Sequence, residues 1–439
     1  MDNNKLISEV KKNISQYKKI LLAFSGGLDS TVLLHLLVQL RNKYLNFELR
    51  AVHINHELNI NSNIWVNYCK KQCFFLKVPL IIKKVKINKN LGGIEAAARN
   101  ARYTAFNLIL KTHEILITAQ HLDDQSETFF LALKRGSGIS GLSSMALKRE
   151  FGNNILLRPL INFTHKSLKI YAKKNKLSWI NDDSNKNLRF DRNFLRLQIL
   201  PLLNCRWPYF SSSVARSANF CAEQKQLLNE LLIDKLNNLL ETDNSLCING
   251  LMKYSLICRF ALLRHWCIYN HVTPPSYKQL QNIFKEVIFS RIDAQPCLRL
   301  GSYQIRRFQN RLYLLYKMEN LYNISLNWSR KLPLILPDKL GTLISNQGNF
   351  CLRAPNFMQS VNIRFNAKGH FHIIGRTHSR SIKKIWQELH LPPWLRNRIP
   401  LIYYDNQLIA AINIFICKEG QILDKKKSWC VHWKKNNLK

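Results

Sequence analysis

The segment from His121 to Thr128, HLDDQSET, sets Asp123, Asp124 and Glu127 at the junction of two apolar runs. If the second run is a helix, Asp124 and Glu127 share one face, where two carboxylates can hold a cationic amine or a metal. Helix starts also favour acids for capping and for the dipole, so capping accounts for part of this pattern. A second cluster, Ser25-Gly26-Gly27-Leu28-Asp29-Ser30, follows KKILLAF and opens STVLLHLLVQLRNK. A strand, a glycine turn with hydroxyls and a helix start form an anion cradle, because the first helical turn offers unpaired N–H groups and partial positive charge. The common nucleotide loop ends in Gly-Lys-Ser/Thr; here the lysine is missing and Asp29 stands in the loop. An acid beside phosphate makes sense with Mg²⁺ between them, so Asp29 and Asp123 are the candidate metal ligands. A plain turn with Asp29 or Ser30 as N-cap is the simpler alternative.

Basic residues form three further groups. In EAAARNARY, Arg99 stands four residues after Glu95, the spacing of a surface pair, and Arg102 shares its face; either can reach a phosphate bidentately. In RFDRNFLR, Arg189, Arg192 and Arg196 recur at helical spacing, either as a solvated face or as a rail for RNA phosphates. Near the end, Arg376, Arg380, Lys383, Lys384, Arg396 and Arg398 surround Trp386 and Trp394. The tryptophans read as anchors of a small core or as platforms for unpaired bases, and the cations as tRNA backbone contacts.

The elements that must position these groups follow from periodicity. KKILLAF, LRAVHINH, LIIKKVKI and EILITAQH read as strands, separated by the helical patterns STVLLHLLVQLRNK, NIWVNYCKKQCFFL and IEAAARNARYTAFNLILKTH. Alternation of this kind implies an α/β, doubly wound parallel sheet, with ligands at the carboxyl ends of its strands where strand order reverses. Both acidic clusters fall at such ends. This N-terminal domain is expected over 1–205, a mainly helical middle domain over 206–325 and a small α+β C-terminal domain over 340–439.

Composition selects the partner. Lys and Arg number 66 against 27 Asp and Glu, a formal charge of +39 over 439 residues, which favours nucleic acid. Drift toward Lys, Asn and Ile would raise the charge without any partner. Only 15 residues are glycine, roughly half the usual share, so the adjacent pair Gly26-Gly27 marks backbone under a special demand. No apolar stretch reaches membrane-spanning length, and the 11 cysteines, scattered and without a CxxC pair, fit a reducing cytoplasm better than a disulfide framework. Cys69 and Cys73, four apart, read as helix-face packing.

The SGGLDS loop resembles the pyrophosphate loop of the ATP pyrophosphatase superfamily, whose members cleave ATP between the α and β phosphates and adenylate a carbonyl oxygen. IEAAARNARYTAF, TAQHLDDQSETFFLALKRGSGISGLSSM, Arg158-Pro159-Leu160 and DDSNKNLRFDRNFLRLQILP follow in order. With GRTHSRSIKKIWQELHLPPWLRNRIPLIYYDNQLIA they look like the tRNA(Ile)-lysidine synthetase family. That resemblance implies ATP and Mg²⁺ as cofactors and two substrates, free lysine and an isoleucine tRNA with a CAU anticodon. It implies a soluble monomer or homodimer without a membrane partner. Residues Ser25 to Ser30 would hold ATP, and Asp29, Asp124 and Glu127 would be catalytic, the last two also binding lysine. Arg99, Arg102, Arg192, Arg196, Arg376, Lys383 and Arg396 would meet lysine or tRNA. Two rivals remain: a tRNA cytidine thiolation enzyme of the same superfamily, disfavoured by the lack of paired cysteines, and a catalytically dead RNA-binding protein.

Overall fold

A computed structural model describes residues 3–56, 62–85, 94–182, 186–291, 293–423 and 427–436, with residues 3 and 94–96 by backbone only. The chain forms two compact units, Met1–Glu230 and Leu231–Lys439.

In the first unit α1 (Asn3–Ile14) precedes β1 (Lys19–Ala23), α2 (Leu28–Lys43), β2 (Glu48–Asn55), α3 (Ser62–Phe75), β3 (Leu80–Lys84) and α4 (Ile94–Ile109). Next come β4 (Ile115–Ile117), α5 (Leu122–Lys134), α6 (Ile139–Leu142), β5 (Lys148–Phe151), β6 (Asn154–Leu157) and α7 (His165–Lys174). The strands form one sheet in the order β3-β2-β1-β4-β6-β5. All pairings are parallel except that of β5 with β6. The chain winds outward from β1 to β3 and returns to β4 on the other side of β1, so order reverses between β1 and β4 and opens a crevice at their carboxyl ends.

β1 is buried on both faces, as a central parallel strand must be. Ile20 and Leu22 pack with Val32, Leu33 and Leu36 of α2, while Leu21 packs on the other face with Val52, Phe106, Leu116 and Leu156. Each such side chain contributes about 1.5–3 kcal/mol on burial. Cys69 and Cys73 lie in the first of these cores, as their spacing suggests.

The sequence reading anticipated four strands here; the structure adds the β5–β6 hairpin and cuts β4 to three residues. Polar Thr118, Gln120 and His121 leave the sheet at that point to start α5. After α7 the helices Asp191–Phe194 (α8) and Leu200–Arg206 (α9) are joined by a π-helical segment, Leu195–Ile199, ahead of Pro201. Proline has no N–H for the i−4 carbonyl, and a widened turn accommodates that loss. Helix α10 (Phe210–Asn237) follows.

The second unit begins with helices around the fully buried Trp266 and a four-stranded antiparallel sheet. A five-stranded antiparallel sheet follows, and its strand Leu401–Tyr404 sends Ile402 and Tyr404 into one core and Leu401 and Tyr403 into another. That is the period-2 alternation of a sheet covered on both sides. The fold class read from the sequence is the one found: a parallel α/β domain, a helical middle region and a β-rich C-terminal region with two short helices, Ile382–Glu388 and Pro393–Arg396. The cysteine reading needs one correction. Cys351 and Cys430 stand opposite each other on antiparallel strands and are disulfide-bonded; the other nine are free.

Candidate active site

The glycine turn after β1 is fastened from outside. Gly26 has φ +85°, and a Cβ there would meet Ile180 Cδ1 at 2.9 Å and Cys69 Sγ at 3.1 Å, so both conformation and space require glycine. The Ile180 N–H donates to the Gly26 carbonyl at 2.9 Å, tying the turn to the segment after α7. Ser25 and Ser30 hydroxyls meet at 3.0 Å, and the Gly27 N–H donates to Ser25 Oγ at 3.3 Å. Gly27 is the N-cap of α2 and has no side chain to occupy the helix's first N–H groups. The cradle read from the sequence is therefore present as a shape, with Leu28 buried beneath it.

Asp29 projects from the first turn of α2 toward the residues that follow β4. Its Oδ2 lies 3.7 Å from His121 Nε2 and its Oδ1 3.9 Å from His165 Nε2. Oδ1 is buried and has no hydrogen-bond partner among the described residues. Burial pushes this carboxyl above its ordinary value, although the His121 and His165 imidazoles pull the other way.

The acids after β4 divide their duties. Asp124 Oδ2 accepts from the His121 main-chain N–H at 3.1 Å, which is the capping role weighed for it, and its Oδ1 accepts from Arg196 Nη2 at 2.9 Å. Burial alone would raise the Asp124 carboxyl, but His121, Arg196 and Arg192 together hold it below the ordinary carboxylate range. Asp123 Oδ2 accepts from the His165 main-chain N–H at 2.7 Å and so docks the start of α7.

Glu127 is 0% exposed and carries two guanidiniums. Arg196 Nε reaches Oε1 at 2.6 Å and Nη2 reaches Oε2 at 3.1 Å, while Arg192 Nε lies 2.9 Å from Oε2. Burial pushes the Glu127 carboxyl upward against these cations; with donors on both oxygens, the carboxylate is the form that fits. Arg196 is raised as well: burial would lower it, but Glu127 and Asp124 outweigh burial, so its charge is held. Arg192 and Arg196 were read as a solvated face or an RNA rail, and the structure places them against the acids. The long-range fold explains this, since α8 and the π-helical segment pack along α5. Counting carboxylates and guanidiniums alone, Asp29, Asp123, Asp124 and Glu127 outnumber Arg192 and Arg196, so the cluster leans negative.

Of the remaining candidates, Arg99 lies over the Tyr103 ring at 5.0 Å, and its pairing with Glu95 falls outside the described side chains. Arg102 helps hold the His56 imidazole down to about 4, after burial as the main cause. Arg376 and Arg380 share Glu388, Lys383 is exposed, and Arg396 Nε donates to the Leu391 carbonyl at 3.0 Å. Trp386 is a core residue beside Phe415, and Trp394 packs edge-on against Phe308 and Tyr313. Arg398 is buried in a 2.7 Å pair with Asp338. Three residues received no role from the sequence: His121 had a signal as a polar residue at a strand end and the buried Arg158 lay in the Arg158-Pro159-Leu160 motif, whereas His165 had no signal.

The PP-loop domain family matches residues 2–203, the TilS substrate binding domain family 246–313 and the TilS substrate C-terminal domain family 361–433. A curated tRNA(Ile)-lysidine synthase of Serratia proteamaculans is 55% identical over 99% of this chain and 100% of its own length. The chain belongs to the tRNA(Ile)-lysidine synthase family. Others of that name, from Edwardsiella ictaluri and Photorhabdus laumondii, are 50% and 46% identical over 95% and 100% of the chain, covering 96% and 99% of their own lengths. The glycine loop without a lysine, the Asp29 carboxylate and the acid–arginine cluster lie together at the carboxyl ends of β1 and β4.

Proposed function

We propose that this chain ligates lysine to C2 of the wobble cytidine in a CAU-anticodon isoleucine tRNA, through an adenylated tRNA, with release of AMP and pyrophosphate. The reading rests most on Asp29, which stands at the mouth of a phosphate cradle and faces His121 and the Glu127–Arg196 cluster across the β1/β4 crevice. The amides at the start of α2 and the hydroxyls of Ser25 and Ser30 would take the leaving pyrophosphate. Asp29, with its unpartnered buried oxygen, suits Mg²⁺ held by one carboxylate and phosphate oxygens. Asp123 suits it less, because one of its oxygens already accepts from the His165 amide. Bound there, Mg²⁺ neutralises phosphate charge. The excess of carboxylates would hold the lysine ammonium beside Asp124, with Arg196 and Arg192 limiting the negative field that the amine must leave when it loses its proton. Arg99 and Arg102 would meet tRNA at the crevice edge, and Arg376, Lys383 and Arg396 would orient it from the C-terminal region.

Thiolation is the weaker reading: Cys69 and Cys73 are core residues whose thiols burial pushes up to about 12, the opposite of a reactive pair. The test is mass analysis of nucleosides from CAU-anticodon tRNA incubated with the protein, ATP and lysine, with the nucleotide products resolved. Lysidine with AMP is expected. ADP as the main tRNA-dependent product, or a thiolated cytidine, would overturn the reading.

A further inference from the structure

Beside the acid cluster, and apart from the glycine loop, lies a cavity of ≈ 490 Å³ bounded by α4, α5, the 140–149 segment and α10. Its cations are Arg99, Arg149, Arg158 and Lys225, and no carboxylate lines it among the described residues. Like charges gathered in this way repel unless an anion joins them. Arg158 makes the case more sharply. It is 1% exposed, its Nη1 donates to the Ala146 carbonyl at 2.6 Å, and its Nε has no partner among the described residues. A guanidinium buried with a spare donor is costly unless something accepts from it. Arg99 and Arg149 lie over the Tyr103 ring at 5.0 and 5.4 Å, which fixes two of the forks in place. Burial would raise the Tyr103 phenol, yet the three arginines, with a hydrogen bond to Gln120, hold it below its ordinary value, as the positive field of the cavity requires.

The size is that of a small-ligand pocket rather than of a bare ion, and buried Met145 supplies an apolar wall. Thr128 also lines the cavity, and its hydroxyl accepts from Arg192 at 3.0 Å, so the cavity adjoins the Glu127 cluster through one residue of α5. The phosphates of ATP have their cradle at the β1 end. We infer that this cavity binds one nucleotide unit of single-stranded RNA, its phosphodiester on the arginines, next to the nucleotide that reacts. The inference rests on the function proposed above for the identity of the RNA, and on the cavity alone for its chemistry.

Arg149 and Lys225 sit on different elements and neither touches the acid cluster, so Arg149→Glu and Lys225→Glu test the cavity in the full chain, with Arg149→Lys as the conservative control. Binding of a CAU anticodon stem-loop, followed by fluorescence anisotropy at several salt concentrations, should weaken about 10-fold or more in each reversal. The log–log salt slope should fall by about 0.7 per lost single-strand contact. The apparent KM for ATP should stay within about twofold, and Arg149→Lys should keep most of the affinity. Unchanged affinity and slope in both reversals, with thermal unfolding intact, would overturn the inference, as would a parallel rise in the KM for ATP. If the wild type yields no lysidine while the reversals still lose RNA affinity, the functional reading fails and the cavity stands. If lysidine forms and the reversals bind normally, only the cavity fails.

Discussion

Two glutamates in this chain are each shared by two arginines, and they behave differently. Glu127 is wholly buried between Arg192 and Arg196, while Glu388 in the C-terminal region is 29% exposed between Arg376 and Arg380. At Glu388 desolvation is outweighed by the combined hydrogen bonds and charge of both arginines, which hold the carboxyl below its usual range, and water screens what remains. The Glu127 carboxylate is cut off from solvent, although Arg192 and Arg196 keep side-chain exposures of 26% and 38%, so the carboxylate depends on the two arginines for its solvation. The same three-residue arrangement is a surface brace in one region and a structural and electrostatic keystone in the other. Burial supplies the difference.

The largest expected effect breaks the buried arrangement. Glu127→Ala removes the buried carboxylate shared by the partly exposed Arg192 and Arg196 and should cost about 2–3 kcal/mol in denaturant unfolding, below the range for fully buried pairs. Glu388→Ala should leave the same midpoint unmoved, and equal losses in the two variants would erase the distinction. Next comes chemistry without loss of fold: Asp29→Asn should lower AMP formation by about 10²-fold, the scale for removing one preorganised electrostatic group, at unchanged Tm. A milder effect belongs to the exposed region. Lys383→Glu should weaken tRNA binding a few-fold and reduce its salt slope by about 0.7–0.9 per lost phosphate contact, without moving the KM for ATP.

The smallest effect concerns His56, whose imidazole is held at about 4 by burial, Arg102 and His53. An unfolded histidine titrates near 6.5. Between those values the unfolded chain binds the proton and the folded chain does not, so this contribution is complete above about 6.5 and is lost as pH falls toward 4. His56→Gln should therefore flatten the decline in unfolding midpoint between pH 7 and pH 5; an unchanged slope would remove His56 from the explanation.

Much of the crevice was legible from local pattern. The apolar runs around β1 and α2, the adjacent glycines and the missing loop lysine all act over a few residues, where period and turn chemistry are decided by neighbours in the chain. Asp124 and Glu127 were legible for the same reason, being three apart on one helical turn. The β5–β6 hairpin was not, because KREFGNNILL is short and its strands are recognised only once β6 pairs with β4 and β5 with β6.

By itself, then, the sequence determined the parallel α/β core, the glycine turn between β1 and α2 and the family to which the chain belongs, since each depends on ordered local motifs. Only the tertiary structure decided what those motifs face. Arg196 meets Glu127 across 69 residues, His165 meets Asp29, and the buried Arg158 joins four other segments in lining one cavity. Such contacts depend on how helices pack across the sheet, and the burial that packing creates sets the strength of every charge inside it.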